Sequence, residues 1–362
     1  MKAEVINVGD GACSIYTGER EVMVTDCGSG PSGNGGWSAF QLYGALAKQT
    51  PKLKTIAVTH FDRDHWHGLA AYPTLVTSLA HIALPKKVVF HTPRFPRAAQ
   101  TVPVVRLALE AAFTASAGPL SAALDLFGQW RRAGVHVSHR PVARGDTFNG
   151  ADETWTCHWP PRDLAPFPTR TRNVLTDLNE ELEGLAAQVP EVKEAIDVVY
   201  GTGWFPDQAD DSAEPVTSKL TGNQLIGAIN QSNPTLDVSK LMAKLRRYNN
   251  AMSLVHDVRD RLVNFGDCEG VGLSSLLRLQ APSANTLRLA HDYTVLLAPH
   301  HGTVKPATRD RPLFPSANTV AAQNGARHLG NQKTTFLRSV LRPGSTGGVD
   351  NTHTTSPLHY TV

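Results

Sequence analysis

Residues 59–68 read THFDRDHWHG, and they follow a mostly apolar segment, KTIAVT, at residues 54–59. The apolar segment predicts a buried strand, and the polar residues predict a loop that leaves its end. Within eight positions this loop carries five potential metal ligands, which are His60, Asp62, Asp64, His65 and His67. Histidine and aspartate are common ligands of divalent metals. A surface loop of solvated charges is the alternative, but this density favours a metal site.

Strands and helices alternate on both sides of this stretch. The predicted strands lie at residues 3–15, 21–26, 54–59, 87–91, 135–139, 253–258, 262–265 and 293–298. The predicted helices lie at residues 37–48 and 68–83, at two places within 104–133, and after Gly270. Such an alternation is typical of a layered α/β fold.

Residues 162–247 interrupt this alternation with helix-like segments and a polar loop, 201–218, in which we find no core positions. We interpret them as a mainly helical, acidic insertion. The length of 362 residues fits a single domain, residues 1–362, that carries this insertion.

The composition is that of a globular protein. Hydrophobic residues make up 41% of the chain and charged residues 19%, which argues against a disordered or fibrous protein. Neither a membrane-spanning run nor a signal-peptide pattern is present, so we expect a cytoplasmic location. The four cysteines, Cys13, Cys27, Cys157 and Cys268, lack the spacing of a zinc ribbon or disulfide framework, and we expect them to be reduced and mostly buried.

Charge is distributed unevenly along the chain. Residues 176–214 contain eleven acidic residues and one lysine, a net charge of −10, whereas the whole chain carries +3. The remainder therefore carries +13, as expected if the body binds a polyanion. A solvated acidic helix face and loop is the simpler alternative.

Four ordered segments resemble the metallo-β-lactamase superfamily. They are VINVGDG at residues 5–11, the H-x-D-x-D-H pattern at 60–65, NNAMS at 249–253 followed by FGDCEG at 265–270, and LLAPHHGT at 296–303. The ordered set looks most like the branch that contains the metallo-β-lactamase domain of the DNA-uptake competence protein ComEC. The resemblance covers the chain except for the insertion, and it implies a four-layer αββα sandwich.

The resemblance also implies a set of metal ligands. It implies His60 and Asp62 on one ion, Asp64 and His65 on the other, Asp267 between them, and His301 as the last ligand. The implied cofactors are two divalent ions, manganese or zinc, with magnesium as a further candidate. By the same resemblance, His300 contacts substrate and Asp26 orients a ligand histidine.

Several positions depart from the family pattern. Asn249 stands where many members have a third-motif histidine, so the first metal would be either weakly held or completed by water. His67 and Gly68 replace the usual pair of glycines, and Ala12 replaces an aspartate in the first turn. Asn331 and Gln332 replace a C-terminal His-Pro.

Charge favours phosphodiester hydrolysis. Three ligand carboxylates would leave two divalent cations with a net charge of about +1, which suits a hydroxide and an anionic substrate. We expect a nuclease acting on DNA or RNA through a dinuclear metal-activated hydroxide, with Asp64, His65 and Asp267 as catalytic residues. Candidate phosphate-binding residues flank the motifs; they are Lys86, Lys87, Arg94, Arg97, Lys305, Arg309 and Arg311. Three aromatic residues, Phe95, Trp204 and Phe205, would either stack on bases or pack in the core.

Two other functions fit the same sequence. One is hydrolysis of a small ester, lactam, thioester or cyclic nucleotide, and the other is a metal-binding regulatory module without turnover, which Asn249 and Asn331 favour. Free-standing relatives in bacterial antiviral systems suggest a regulated effector with a protein activator or inhibitor. On that hypothesis the acidic residues 176–214 cover the basic groove, and deletion of residues 206–214 raises activity.

Overall fold

The computed structural model describes residues 1–30, 35–79, 82–114, 117–205, 218–281 and 287–362. Across these ranges the chain forms two seven-stranded sheets that contain both parallel and antiparallel pairs. Apolar side chains fill the space between the sheets, and helices pack on their outer faces. The predicted α/β fold, a four-layer αββα sandwich, is therefore confirmed.

The first sheet combines the N-terminal strands with the C-terminal one. Its strands are β1 (Lys2–Val5), β2 (Cys13–Thr17), β3 (Val22–Cys27), β4 (Leu53–Ala57), β5 (Lys87–His91), β6 (His136–His139) and β14 (Leu358–Thr361). Their order in space is β14-β1-β2-β3-β4-β5-β6. The pairs from β14 to β3 are antiparallel, and those from β3 to β6 are parallel. The carboxyl ends of β3 and β4 therefore lie at the same edge, where the THFDRDHWHG stretch begins.

The second sheet is built from the C-terminal half and two earlier strands. Its strands are β7 (Thr147–Gly150), β8 (Glu153–Trp159), β9 (Val255–Val258), β10 (Leu262–Asn264), β11 (Asp292–Leu297), β12 (Ser316–Ala322) and β13 (Val349–Asn351). Their order is β13-β12-β11-β10-β9-β8-β7. Strands β10 and β11 are parallel, so the segments that follow them also leave from one edge.

Alternation along the strands separates two apolar layers. In β2, Tyr16 points between the sheets and packs on Trp155 of β8, with ring centroids 4.7 Å apart. The neighbouring Ile15 belongs instead to the larger cluster that includes the helices. In β3, Met23 faces the inner layer and Val24 the outer one. This period of two is what a sheet buried on both faces requires.

Twelve α-helices lie in the described ranges. They are α1 (Gly35–Leu46), α2 (Arg63–Ser78), α3 (Thr101–Thr114), α4 (Leu120–Ala123), α5 (Leu126–Arg132), α6 (Thr169–Gln188), α7 (Pro190–Gly201), α8 (Gly222–Ser232), α9 (Val238–Ala251), α10 (Gly270–Arg278), α11 (Ala326–Leu329) and α12 (Thr334–Ser339). Helices α1, α2 and α5 contact the first sheet, and α12 contacts β13 of the second. None of these helices combines the length and apolar character needed to cross a bilayer.

Helices α6 to α9 occupy the segment between β8 and β9, where the sequence predicts a helical insertion. All four contact α3, which connects them to the rest of the chain. The prediction that the loop after α7 has no core positions is wrong, because Trp204 and Phe205 are buried. They pack on Phe61, with centroid distances of 5.6 and 5.3 Å. Phe95 is buried in the same cluster, so these three aromatic rings are core residues.

Other boundaries differ from the sequence prediction. Helix α2 begins at Arg63 rather than at Gly68, so several of the predicted ligands lie in its first turn. Residues 104–133 contain parts of three helices, not two, because a short helix, α4, follows Pro119. The four cysteines are free and buried, as expected.

Candidate metal centre

The candidate ligands come from the carboxyl ends of strands in both sheets. His60 follows β4, Asp64 and His65 lie in the first turn of α2, Asp267 follows β10, and His301 follows β11. Because parallel strands end at a common edge, residues far apart in sequence meet between the two sheets.

Backbone geometry at this edge is unusual and specific. Asp26, His300 and His301 have positive φ angles of 58°, 45° and 56°, which non-glycine residues adopt at a cost. Gly28 lies against the ligand loop, since a Cβ at this position would lie 2.4 Å from the carbonyl carbon of Asp64. The close approach of Gly28 to Asp64 places the loop after β3 against the start of α2.

Asp267 lies at the centre of the donor cluster. Its Oδ1 is 3.5 Å from His65 Nε2, and its Oδ2 is 3.4 Å from His301 Nε2 and 3.8 Å from His60 Nε2. Donor atoms of Asp64, His65 and His301 also lie within 4.8 Å of one another, as do those of His60, His65 and Asp267. Two ligands of one tetrahedral ion, each roughly 2.0–2.1 Å from it, are about 3.4 Å apart. The spacing around Asp267 fits such an ion.

Buried imidazole nitrogens give an independent test of this fit. In the described part of the chain, His60 Nε2 and His65 Nε2 are fully buried and lack a hydrogen-bond partner. A buried polar atom without a partner is costly unless another group satisfies it. A divalent ion would satisfy both nitrogens, so these residues fit a metal site.

Neighbouring residues fix the orientation of two ligand histidines. His65 Nδ1 donates to Asp26 Oδ2 at 2.9 Å, and His301 Nδ1 donates to the Gln323 carbonyl at 2.6 Å. The Asp26 carboxylate also accepts the Thr59 backbone N–H and hydroxyl, both at 2.7 Å. Each Nε2 is thereby left to face Asp267, which is the arrangement that outer hydrogen bonds usually impose on metal-binding histidines.

Burial and neighbouring charges shift the pKa values of the candidate ligands in different directions. Burial lowers the pKa of His60 to about 3, so its imidazole is neutral near pH 7. Burial raises the pKa of Asp267, but His301, His65 and His300 outweigh that effect and hold its pKa well below the usual range. Burial raises the pKa of Asp64. For His65, burial lowers the pKa, but Asp267 and Asp26 together raise it well above its ordinary value.

Asp62, predicted as a metal ligand, contacts three other groups. Its Oδ1 accepts a hydrogen bond from Asn249 Nδ2 at 2.7 Å and lies 3.0 Å from an Arg106 terminal nitrogen. Its Oδ2 lies 3.3 Å from Arg246 Nε. The Arg106 contact is an ion pair without the angle of a hydrogen bond. Asn249, predicted near the first metal, is therefore a partner of Asp62.

The remaining predicted residues divide into two groups. His300 reaches the cluster, with Nε2 3.9 Å from Asp267 and Nδ1 2.8 Å from Glu269 Oε2. His67 does not reach it, because its Nε2 pairs with Arg63 at 2.7 Å and its side chain lines a neighbouring cavity. Asn331 is exposed and contacts the Arg327 carbonyl.

Several residues near the cluster, Arg246 among them, are not predicted from the sequence. Arg106 and Glu110 lie on α3, Glu269 holds His300, Gln323 holds His301, and His328 stacks on His301 with centroids 4.6 Å apart. The sequence does contain a signal for Arg106 and Glu110. They lie one helical turn apart in an otherwise apolar helix, and such charged residues need a polar partner when they are buried. Glu269 belongs to the FGDCEG segment, but nothing in the sequence singles out His328.

A cavity of about 440 Å³ opens onto the cluster. Metal-ligand candidates Asp64, Asp267 and His301 lie in its lining together with Asp62 and His300. Four arginines also line it; they are Arg63, Arg246, Arg247 and Arg327. The predicted phosphate-binding residues Lys86, Lys87, Arg94, Arg97, Lys305, Arg309 and Arg311 do not line it.

The described part of the acidic segment does not line this cavity. In the described portion of the acidic stretch, residues 176–205, no side chain lines the cavity, and the insertion contributes to it through α9 alone. Residues 206–214, whose deletion the sequence suggests as a test, lie outside the described residues.

Replacing Asp26 by alanine is expected to weaken metal binding by roughly 10- to 100-fold, because His65 loses the carboxylate that orients it. Competition with a chromophoric zinc chelator measures this affinity. Asp197→Ala is the matched control, since Asp197 is half exposed on α7 and pairs with Lys193. Equal zinc affinity in the Asp26 variant and the control would contradict this role.

No family model matches the sequence, and a comparison with curated proteins gives no match either. Among solved structures, the metallo-β-lactamase-fold protein YhfI from Bacillus subtilis aligns over 99% of this chain and 99% of its own, with 8% identity and a TM-score of 0.42. A mutant of CmlA β-hydroxylase aligns over 99% of this chain and 54% of its own, with 9% identity and a TM-score of 0.39. The MIM-2 metallo-β-lactamase aligns over 66% and 87%, with 10% identity and a TM-score of 0.25. The two sheets and their flanking helices, rather than these weak likenesses, define the fold.

Proposed function

We propose that the chain is a metal-dependent phosphodiester hydrolase and that its substrate is DNA or RNA. One observation supports this most strongly: Asp64, Asp267 and His301 of the donor cluster line the same cavity as four arginines. One guanidinium group can donate two parallel hydrogen bonds to the oxygens of a phosphate. A cavity with arginines beside a metal site therefore suits an anionic phosphoryl group.

Asp64, His65, Asp267 and His301 are the residues that would hold the ion, with His60 beside them. A divalent ion held there supplies Lewis acidity, which makes water easier to deprotonate and offsets charge on phosphoryl oxygens. A mixed carboxylate and imidazole set accepts manganese or zinc, and magnesium less readily. We would test manganese first.

His300 offers a proton donor beside this centre. Burial lowers its pKa, but Asp267 and Glu269 outweigh that effect and raise the pKa to about 9. In the metal-free protein the ring is therefore protonated near pH 7, and its Nδ1 donates to Glu269 Oε2 at 2.8 Å. Its Nε2 side can then donate to a phosphoryl or leaving-group oxygen in the cavity.

The size of the cavity favours a second candidate. A volume of about 440 Å³ is typical of sites for small molecules, which suits a cyclic nucleotide or another small ester. A nucleic acid would have to present a single nucleotide or a strand end to the same cavity.

The test is hydrolysis by purified protein of supercoiled plasmid, linear duplex, single-stranded DNA, RNA and cyclic nucleotides, each with manganese, magnesium or zinc. We expect metal-dependent cleavage of at least one nucleic acid, abolished by EDTA and by Asp64→Ala. Cleavage of cyclic nucleotides alone would favour the small-molecule candidate. Stoichiometric metal binding without turnover on any substrate would contradict the proposal and favour a regulatory module.

A further inference from the structure

Asp62 lies near His60 and Asp64, but its carboxylate contacts two arginines and an amide donor. We propose that Asp62 anchors the guanidinium groups of Arg106 and Arg246 instead of a cation, so that the chain binds one divalent ion and Arg246 is positioned to bind phosphoryl oxygens. The statement about Arg246 rests on the proposed phosphodiester hydrolysis, whereas the number of ions does not.

Both oxygens of the Asp62 carboxylate already have partners. Oδ1 accepts a hydrogen bond from Asn249 Nδ2 at 2.7 Å and forms an ion pair with Arg106 at 3.0 Å. Oδ2 forms an ion pair with Arg246 Nε at 3.3 Å. The Asn249 amide presents its N–H group to Asp62, and an amide N–H cannot bind a metal. The donor set His60, Asp62 and Asp64 is close enough to be considered as a site, but its central carboxylate is engaged elsewhere.

The arginines cannot give up their charge to admit a cation. Arg106 is fully buried on α3 and lies between Asp62 and Glu110, at 3.0 and 3.4 Å. Arginine stays protonated even when buried. A divalent ion on Asp62 would therefore lie beside two permanent positive charges, whereas one at Asp267 would be surrounded by imidazoles. His60 Nε2, 3.8 Å from Asp267 Oδ2, is available to that single ion.

Arg246 differs from Arg106 in its exposure. Its side chain is 56% exposed and lines the cavity, while its Nε pairs with Asp62. Across the described ranges Asp62 is the one carboxylate with which Arg246 pairs. The terminal nitrogens of Arg246 are thus left for a ligand, and the pair with Asp62 limits the orientations of the guanidinium plane.

The number of bound ions per chain tests the proposal that Asp62 does not bind a cation. Wild-type protein is loaded with excess manganese or zinc, gel-filtered, and analysed by elemental mass spectrometry and native mass spectrometry. We expect one ion per chain in the wild type and in Asp62→Asn, and none in Asp267→Asn. Two ions per wild-type chain, falling to one in Asp62→Asn, would overturn the inference while leaving the proposed hydrolysis intact. No bound ion in the wild type would overturn both.

Binding of inorganic phosphate to the metal-loaded protein tests the second part by calorimetry. We expect Arg246→Gln to weaken it roughly tenfold and Asp62→Asn to weaken it in the same direction, with the metal content unchanged. Because Asp62 acts through Arg246, the double variant should bind phosphate no more weakly than Arg246→Gln alone. Lys244→Gln, on the same helix and outside the cavity lining, should leave binding within twofold of wild type. Additive losses in the double variant, or wild-type affinity in Arg246→Gln, would overturn the assignment of Arg246.

Discussion

Replacing Asp267 by alanine is expected to abolish stoichiometric metal binding and to lower phosphodiester hydrolysis by roughly a thousandfold or more. Among the residues that the structure describes, this carboxylate is the one group that approaches His60, His65, His300 and His301 together, at 3.4 to 3.9 Å. Without this carboxylate, the four histidines no longer surround a common anion. The buried Nε2 atoms of His60 and His65 then lack the carboxylate that would bind the same ion. Hydrolysis rates and metal content are measured on the same preparation.

Two further variants test whether the charge of Asp267 is responsible for this loss. Asp267→Asn keeps the shape and removes the charge, so it should lose nearly as much activity as the alanine variant. Asp260→Asn removes an aspartate that is 73% exposed in the turn after β9, and it should behave as wild type. Activity within tenfold of wild type in Asp267→Ala would show that the cluster is not the catalytic centre.

Replacing Arg106 by methionine is expected to lower the free energy of unfolding by about 3–5 kcal/mol, because it leaves Asp62 and Glu110 without their buried counter-ion. Burial lowers the pKa of Arg106, but Asp62 and Glu110 outweigh it and raise the pKa, so the positive charge is retained. Burial also raises the pKa of Glu110 to about 7, which makes Asp62 the more costly of the two carboxylates to leave unpaired. Urea denaturation followed by circular dichroism measures the loss.

The control for this loss is Arg170→Met on α6, where the arginine is exposed. An exposed substitution of this kind typically changes stability by about 0.5 kcal/mol or less. Arg106→Lys should recover only part of the loss, since a lysine cannot reach two carboxylates with a planar group. A methionine variant as stable as the control would contradict the account of the buried pair.

The donor cluster could be predicted because its ligands are concentrated in short motifs. THFDRDHWHG follows a strand in the sequence and in the structure, and LLAPHHGT places His301 at the end of β11. The start of α2 was predicted five residues too late, at Gly68 instead of Arg63. A run of His and Asp suggests a loop by composition, whereas the first helical turn also accepts such residues and orients them.

The surroundings of Asp62 could not be read from the motif. Its partners come from α3, through Arg106, and from α9, through Arg246 and Asn249, and no local pattern specifies how those helices pack. Asn249 could be recognised as a substitution for a histidine. That it donates to a carboxylate is a consequence of the tertiary structure.

Several strands were missed because their identity depends on their neighbours. In strand β12, with the sequence SANTVAA, five of the seven residues are Ser, Ala or Asn, which do not favour strands, and the strand is fixed by pairing with β11 and β13. Strand β8 contains two tryptophans that pack in the core, but it lies beside the insertion, where the sequence pattern does not indicate a strand. The polar residues around Trp204 and Phe205 predict a polar loop, whereas both side chains are buried.

Removal and return of the metal test the central claim most directly. The wild-type protein is stripped with a chelator, and its hydrolysis of a fluorescent oligonucleotide is followed while manganese is titrated back. The account predicts no hydrolysis in the stripped protein, full recovery when the Asp267 cluster is saturated, and no recovery in Asp64→Ala at any manganese concentration. Hydrolysis that persists without metal, or that returns equally in Asp64→Ala, would contradict it.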